Sequence, residues 1–147
     1  REIHASMIVT HVDVAHIHQT WPLVEKYIEA ALTDGFPYPA EFNDYSAENI
    51  KQFLISGQWL LLVAVDDESK IHGCATISFI NTPKHRTAVV TAAGGRFIYV
   101  KNNIEQLKAI CARCGATKLQ AFGKPSIVRL LQRLEFEPRN TLLEMLL

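Results

Sequence analysis

Apolar positions along this chain change period several times, and each change marks an element. Ile8–Val12 alternates briefly and predicts a first strand. Val24, Tyr27, Ile28, Ala31 and Leu32 then recur at helical spacing, with Thr20 placed to cap the helix and Pro22 in its first turn. Gly35, Pro37 and Pro39 punctuate Thr33–Tyr45 as a loop. A second helix is expected from Ser46 as N-cap to Ser56, stopped by Gly57, with Ile50, Phe53 and Leu54 as its apolar face.

Trp59–Val65 is a continuous apolar run ending in Asp66-Asp67-Glu68-Ser69, which predicts a central strand entering a turn. Ile71–Ile80 returns as its hairpin partner, Asn81–Lys84 interrupts, and Thr87–Ala93 predicts a further strand closed by a Gly94-Gly95-Arg96 turn. Asn102 or Asn103 is expected to cap a helix with Ile104, Leu107, Ile110, Cys111 and Cys114 on one face, stopped by Gly115. Lys118–Phe122 reads as a short strand, and Ser126 as the cap of a last helix aligning Ile127, Leu130, Leu131 and Leu134. Thr141–Leu147 reads as a closing strand. The order β-α-α-β-β-β-α-β-α-β mixes hairpins with crossover units. It predicts an α/β (α+β) fold with a mixed central sheet and helices on both faces. No repeat or linker is visible, so residues 7–147 are expected to form a single domain. Arg1–Ser6 precede Met7 and are expected to be a vector remnant.

Composition narrows the class. With 48% hydrophobic and 20% charged residues, the chain is globular rather than disordered or fibrous. Its longest apolar run falls far short of the roughly 20 residues that span a bilayer, so no membrane partner is expected. The start lacks the basic-then-apolar pattern of a secretory signal. Three unevenly placed cysteines, Cys74, Cys111 and Cys114, suit a reducing, cytoplasmic setting better than a disulfide framework.

The formal net charge of zero hides an asymmetry. Lys84 to the end holds eleven Lys/Arg against four Asp/Glu, and Arg1–Pro83 the reverse, four against eleven. A basic half built around a Gly-Gly-Arg turn points to an anionic ligand, since free amides and cations both favour negative charge. Alternatively, the two halves attract each other across the fold. Lys84-His85-Arg86 would extend the same positive surface.

Other constellations read as structure. Cys111-Ala-Arg-Cys114 has redox spacing, but it falls at a helix C-terminus, where the dipole raises thiol pKa, and both cysteines fit the apolar stripe. No second pair exists to complete a zinc site, and His11, His16 and His18 have no carboxylate at ligand spacing, so no metal is expected. Arg129 and Arg133 share one helix face behind Lys124, yet a sequence pI of 7.2 argues against a nucleic-acid binder.

Leu130–Pro138, reading Leu-Leu-Gln-Arg-Leu-Glu-Phe-Glu-Pro, resembles the last helix and "leucine–glycine–phenylalanine" turn of the GNAT (GCN-five-related N-acetyltransferase) superfamily, whose element order the whole of Met7–Leu147 follows. Gly94-Gly95-Arg96 and the helix end Cys111–Ala116 resemble, more narrowly, GNAT-like proteins of tailed phages. The resemblance implies chemistry on acetyl-CoA or another acyl-CoA. The main chain of Val89, Val90 and Thr91 would pair with the pantetheine arm, with Val90–Thr91 stabilising the oxyanion, and Gly94, Gly95 and Arg96 would hold the pyrophosphate. An amine, not identifiable from the sequence, would attack the thioester.

Departures from the family pattern also matter. In the phosphate-loop register Thr91–Arg96, Arg96 stands where a small residue is usual. The usual leaving-group tyrosine falls on Leu131 and the usual asparagine on Lys124, leaving Tyr99 as a nearby phenol that also fits core packing. No catalytic residue can be assigned from the sequence. Two readings stay open: an acyl-CoA-dependent N-acetyltransferase in the cytoplasm, or a catalytically degenerate GNAT-like structural or interaction protein with a phage or host partner, located in the virion.

Overall fold

In the computed structural model, which describes residues 6–34 and 40–147, five strands lie side by side in one sheet. They are β1 (Ile8–His11), β2 (Leu60–Val65), β3 (Ile71–Asn81), β4 (Arg86–Gly95) and β5 (Lys118–Ala121), in that order. Neighbours run antiparallel except β4 and β5, which are parallel. The helix α3 (Lys101–Arg113) joins that pair, as a parallel crossover requires. The remaining helices are α1 (Ile17–Asp34), α2 (Ala47–Ile55) and α4 (Pro125–Gln132).

Strand alternation settles the layers. Leu61 and Val63 of β2 are buried with Ile17, Val24 and Ile28 of α1 and Ile50 and Leu54 of α2. Leu62 and Ala64 face the other way, against Leu107, Ile110 and Cys111 of α3. A strand covered on both faces has no polar face to alternate, which is why Trp59–Val65 is apolar throughout. The expected mixed sheet with helices on both faces is what forms.

Local signals hold where the interaction is local. Ser46 caps α2 with a reciprocal box: its hydroxyl accepts from the Asn49 amide at 3.1 Å, and the Asn49 side chain accepts from the Ser46 amide at 2.9 Å. The ends of α2 and α3 fall just before Gly57 and Gly115, as expected. The sheet edge at β1 is pinned by one side chain: Gln106 of α3 accepts from the Val9 amide at 2.8 Å and donates to the Met7 carbonyl at 3.0 Å.

Five expectations are corrected. The first helix starts earlier, because Asp13 caps a 3₁₀ turn at Val14–His16 that runs straight into α1. Thr20 and Pro22 therefore sit inside the helix. The third helix is preceded by Val100, not capped by an asparagine; Asn103 is buried inside it and donates to the Phe97 carbonyl at 3.2 Å. The fourth starts at Pro125 after Lys124 rather than at Ser126, and proline suits that first position because its missing N–H would have no helical partner. β4 runs through Gly94 and Gly95, which pair with Cys74 and Gly73 of β3, so the chain turns only at Arg96. Thr141–Leu147 forms no strand: it has no paired neighbour, and Leu143 is 88% exposed. Of the expected loop Thr33–Tyr45, residues 35–39 lie outside the described residues, as do residues 1–5 of the expected vector remnant.

Candidate functional site

The site begins with a mismatch of strand lengths. β5 pairs with β4 over Thr87–Val90 and stops at Ala121, opposite Val90. β4 continues to Gly95, so five residues, about 17 Å of strand at 3.3 Å each, have no strand on that side. At the start of this stretch Ile77 pairs with Val90 and Thr76 with Ala92, which leaves Thr91 as an extra, bulged residue. The bulge is tied down from β3: the Thr91 hydroxyl donates to the Thr76 carbonyl at 3.0 Å and meets the Thr76 hydroxyl at 2.8 Å. Beyond it, the Arg96 amide donates to the His72 carbonyl at 2.8 Å. Antiparallel alternation then turns the main chain of Ala93 away from β3, toward the open side.

That open side is a cleft of about 270 Å³. Val90–Gly95 form its floor, and its walls come from Ala30 and Asp34 of α1, Ile98 and Tyr99 before α3, Ile104 and Leu107 of α3, and Ile127 and Leu131 of α4. The two glycines serve the walls rather than a turn. A Cβ on Gly94 would collide with the Tyr27 carbonyl oxygen and lie 3.0 Å from the Tyr27 Cβ. On Gly95 (φ 69°) it would lie 2.8 Å from the Tyr27 ring. Glycine at both positions lets α1 press against the end of β4.

Anion-binding donors are present, but not at the expected residues. The Arg96 amide is taken by His72, and the Phe97 amide by the Gly95 carbonyl at 3.1 Å. The amides of Ile98, Tyr99, Lys101 and Asn102 donate to no other backbone group among the described residues. They lie in the turn before α3 and its first turn, where orphan N–H groups and the positive end of the helix dipole coincide. Because α3 starts at Lys101, directly after that turn, its positive end adjoins the cleft rather than being set back from it.

The expected site residues thus divide. Val90, Thr91, Gly94 and Gly95 line the cleft. Val89 is buried, pairs with Ser78 and Gln120, and borders a neighbouring cleft instead. Arg96 is exposed and does not line the cleft. Tyr99 is 62% exposed on the cleft wall, so the core-packing reading belongs to Phe97, which is fully buried. Asp34, Tyr99 and Lys124 are the ionisable side chains lining the cleft among the described residues. Ala93 and the amides of Ile98, Tyr99, Lys101 and Asn102 were missed, because a main-chain donor leaves no side-chain signature.

The other basic groups have structural duties. Arg86 donates to the Cys114 carbonyl and to Asn81, both at 3.0 Å, and lies over the Phe79 ring at 4.2 Å. His85 bonds Thr117 at 2.9 Å. Both stand at the far end of β4 from Gly94, so Lys84-His85-Arg86 does not extend the cleft's positive surface. Among the described residues no ion pair joins the acidic and basic halves: Asp66–His72, Glu105–Lys108 and Glu137–Arg139 each lie within one half. Cys111 is buried and Cys114 exposed, so only the first belongs to the apolar stripe. Among the described residues, no group of three or more His, Cys, Asp or Glu is placed to hold a metal ion, and no helix is long and apolar enough to cross a membrane.

The sequence matches no protein-family model and no curated protein. The structure is similar to solved acetyltransferases over nearly the whole of both chains. A probable acetyltransferase superposes with a TM-score of 0.68 at 14% identity, covering 96% of this chain and 97% of its own. An aminoglycoside acetyltransferase from an uncultured soil metagenomic sample gives 0.68 at 15%, covering 97% and 99%. A predicted acetyltransferase with acetyl-CoA from Clostridium acetobutylicum gives 0.64 at 15%, covering 95% of each chain. The fold is that of the GNAT acetyltransferases.

Proposed function

We propose that the chain is an acyl-CoA-dependent N-acetyltransferase whose acyl donor lies along the free edge of β4. One observation carries this reading: the unpaired edge and Ile98 and Tyr99, whose amides have no backbone partner among the described residues, line one cleft, and α3 begins directly after them at Lys101. An acyl-CoA has two matching parts, an amide-bearing arm that can complete a strand edge and a pyrophosphate that suits a helix N-terminus. The cleft wall is mostly apolar, with Lys124 and the open amides as its positive features.

When bound, the donor supplies an activated thioester carbonyl. Within the chain, the outward main chain of Ala93 would orient the arm, and the main chain at the Thr91 bulge would polarise that carbonyl. Thr91 is held by its two bonds to Thr76, so its backbone is set before any ligand arrives. Leu131 is buried and cannot donate a proton, whereas Tyr99 is the phenol that reaches this cleft among the described residues. We assign Tyr99 the proton donation to the departing sulfur.

The open cleft beside Gly94 counts against a scaffold that has lost its ligand. A cytoplasmic location follows from the chemistry, since acyl-CoA is an intracellular metabolite. Isothermal titration with acetyl-CoA tests the reading: saturable binding is expected, and no heat at millimolar ligand overturns it.

A further inference from the structure

A second cleft, of about 260 Å³, lies on the other side of Thr91 and Phe122, which line both. We infer that it receives the acceptor, and that the acceptor is a small amine carrying a second positive charge across a short apolar spacer. The inference rests on the acyl-transfer reading for the word acceptor, but not for the charge preference.

Two features of the wall carry it. Its only charged side chains among the described residues are the carboxylates of Asp44 and Glu144. Phe42, Ile80, Val89 and Leu142 supply apolar surface. Such a wall rejects anions, leaves a neutral ligand facing uncompensated carboxylates, and is neutralised by two ammonium groups joined by methylenes. Its volume sits just below the roughly 300–1,000 Å³ of sites for drug-sized ligands, which selects a small molecule.

The Asp44 wall is built rather than incidental. On one side, the Asn43 side chain donates to the Leu32 carbonyl at 3.2 Å, fastening the segment to the end of α1. On the other, Tyr45 packs edge-on against Trp59 and Phe53 at 4.9 and 5.9 Å between centroids, and those two rings stack at 4.7 Å. Asp44 is held between two anchored residues, facing a cleft that shares Thr91 with the first. The C-terminal segment supplies the opposite contribution through Leu142 and Glu144. The residues read from sequence as a closing strand therefore form part of a ligand wall.

In the transfer, the deprotonated nitrogen of one amino group attacks the acetyl-CoA carbonyl carbon and the carbon–sulfur bond breaks. Coenzyme A leaves with the electron pair as thiolate and takes up a proton equivalent to the one the nitrogen loses. The products are an N-acetyl amine and the free thiol. The second ammonium stays protonated and paired.

Three probes of equal length separate the outcomes: 1,5-diaminopentane, pentylamine and 5-aminopentanoate, titrated without acetyl-CoA. The diamine is expected to bind about two- to fivefold more tightly than pentylamine, from one additional exposed ion pair, and 5-aminopentanoate not to bind. Asp44→Asn and Glu144→Gln should each lower diamine affinity toward that of pentylamine, and 0.5 M salt should do the same. Unchanged circular dichroism and melting would show that these exposed substitutions leave the fold intact. Equal binding of diamine and monoamine, or no binding of either to folded protein, overturns the inference. If acetyl-CoA binds and the diamine does not, only this inference fails. If the diamine binds and acetyl-CoA does not, the transferase reading fails and the charge-selective site stands. With both bound, N-acetyl-1,5-diaminopentane is the product expected by mass spectrometry.

Discussion

Gly94 sits directly against the main chain of Tyr27, so close that a Cβ there would collide with the Tyr27 carbonyl oxygen. The neighbour is backbone in the middle of α1 and cannot swing aside as a side-chain tip would. Gly94→Ala must therefore push α1 away from the end of β4. Overpacking of this kind typically costs about 1–3 kcal/mol, and here it also opens one wall of the cleft. Urea denaturation should show the loss of stability, and acetyl-CoA titration should show weakened binding. A variant with unchanged midpoint would mean that α1 does not press on the strand.

That contact explains why part of the site was hidden in the sequence. Gly94-Gly95-Arg96 looks like a turn because paired glycines ordinarily mark one. Here the glycines are required by Tyr27, about 67 positions earlier in the chain, and no local pattern reports that. The Ser46–Asn49 box was legible because both partners lie within one helical turn. The layers were legible because period and burial are the same fact seen twice, as in the two faces of β2. The two glycines reached the cleft for a reason different from the one anticipated, as paired residues of β4 and not as a turn. Thr141–Leu147 is apolar enough to suggest a strand, but a strand also needs a neighbour, and apolar residues alone cannot supply one.

Tyr99 separates a chemical role from a binding one. Tyr99→Phe removes the hydroxyl alone from an exposed ring, so folding and acetyl-CoA affinity should be unchanged. If the phenol protonates the departing sulfur, kcat falls by about 10²-fold or more. An unaltered kcat would remove the assignment and leave solvent or another group as the donor.

The three thiols should differ sharply in reactivity. Cys74 is fully buried, and burial pushes its pKa up to about 12. For Cys111, burial first and the neighbouring Cys114 second raise it to about 11. Cys114 is exposed. Because the thiolate is the nucleophile, iodoacetamide at pH 8 should label Cys114 alone in the folded chain and all three after denaturation. Intact-mass spectrometry reads the count. Rapid labelling of two thiols in the native state would contradict the packing of α3.

Asp66 ties the β2–β3 turn together. Its carboxylate meets His72 Nε2 at 2.7 Å and accepts from the amides of Glu68 and Lys70 at 2.8 and 3.0 Å. The His72 bond first, and these amides with it, hold its pKa at about 2 against an ordinary 3.8. The folded state binds this proton less readily than the unfolded state. The stabilisation is therefore full above pH 3.8 and disappears as pH falls toward 2. Asp66→Asn should lower the melting temperature at pH 7 by a few degrees, and the gap from the parent chain should close between about pH 4 and pH 2. A gap that stays constant through that window would show that the carboxylate's charge plays no part.

The free amides before and within the first turn of α3 allow a test that touches one hydrogen-bond donor. Lys101 is the first residue of the helix, and its N–H has no backbone partner among the described residues, so proline there removes a donor without breaking a helical bond. The residue before a proline must be extended, and Val100 already is, at φ −103° and ψ 111°. Lys101→Pro should therefore fold with an unchanged melting temperature. Lys101→Ala serves as its control, since it removes the same ammonium and keeps the amide. A hydrogen bond to a charged group contributes about 1.5–3 kcal/mol, so if this amide holds the pyrophosphate, the proline variant should bind acetyl-CoA at least about tenfold more weakly than the alanine variant. Equal affinity in the two, both folded, would move the phosphates away from this helix end and leave the strand edge as the only part of the cleft that engages the donor.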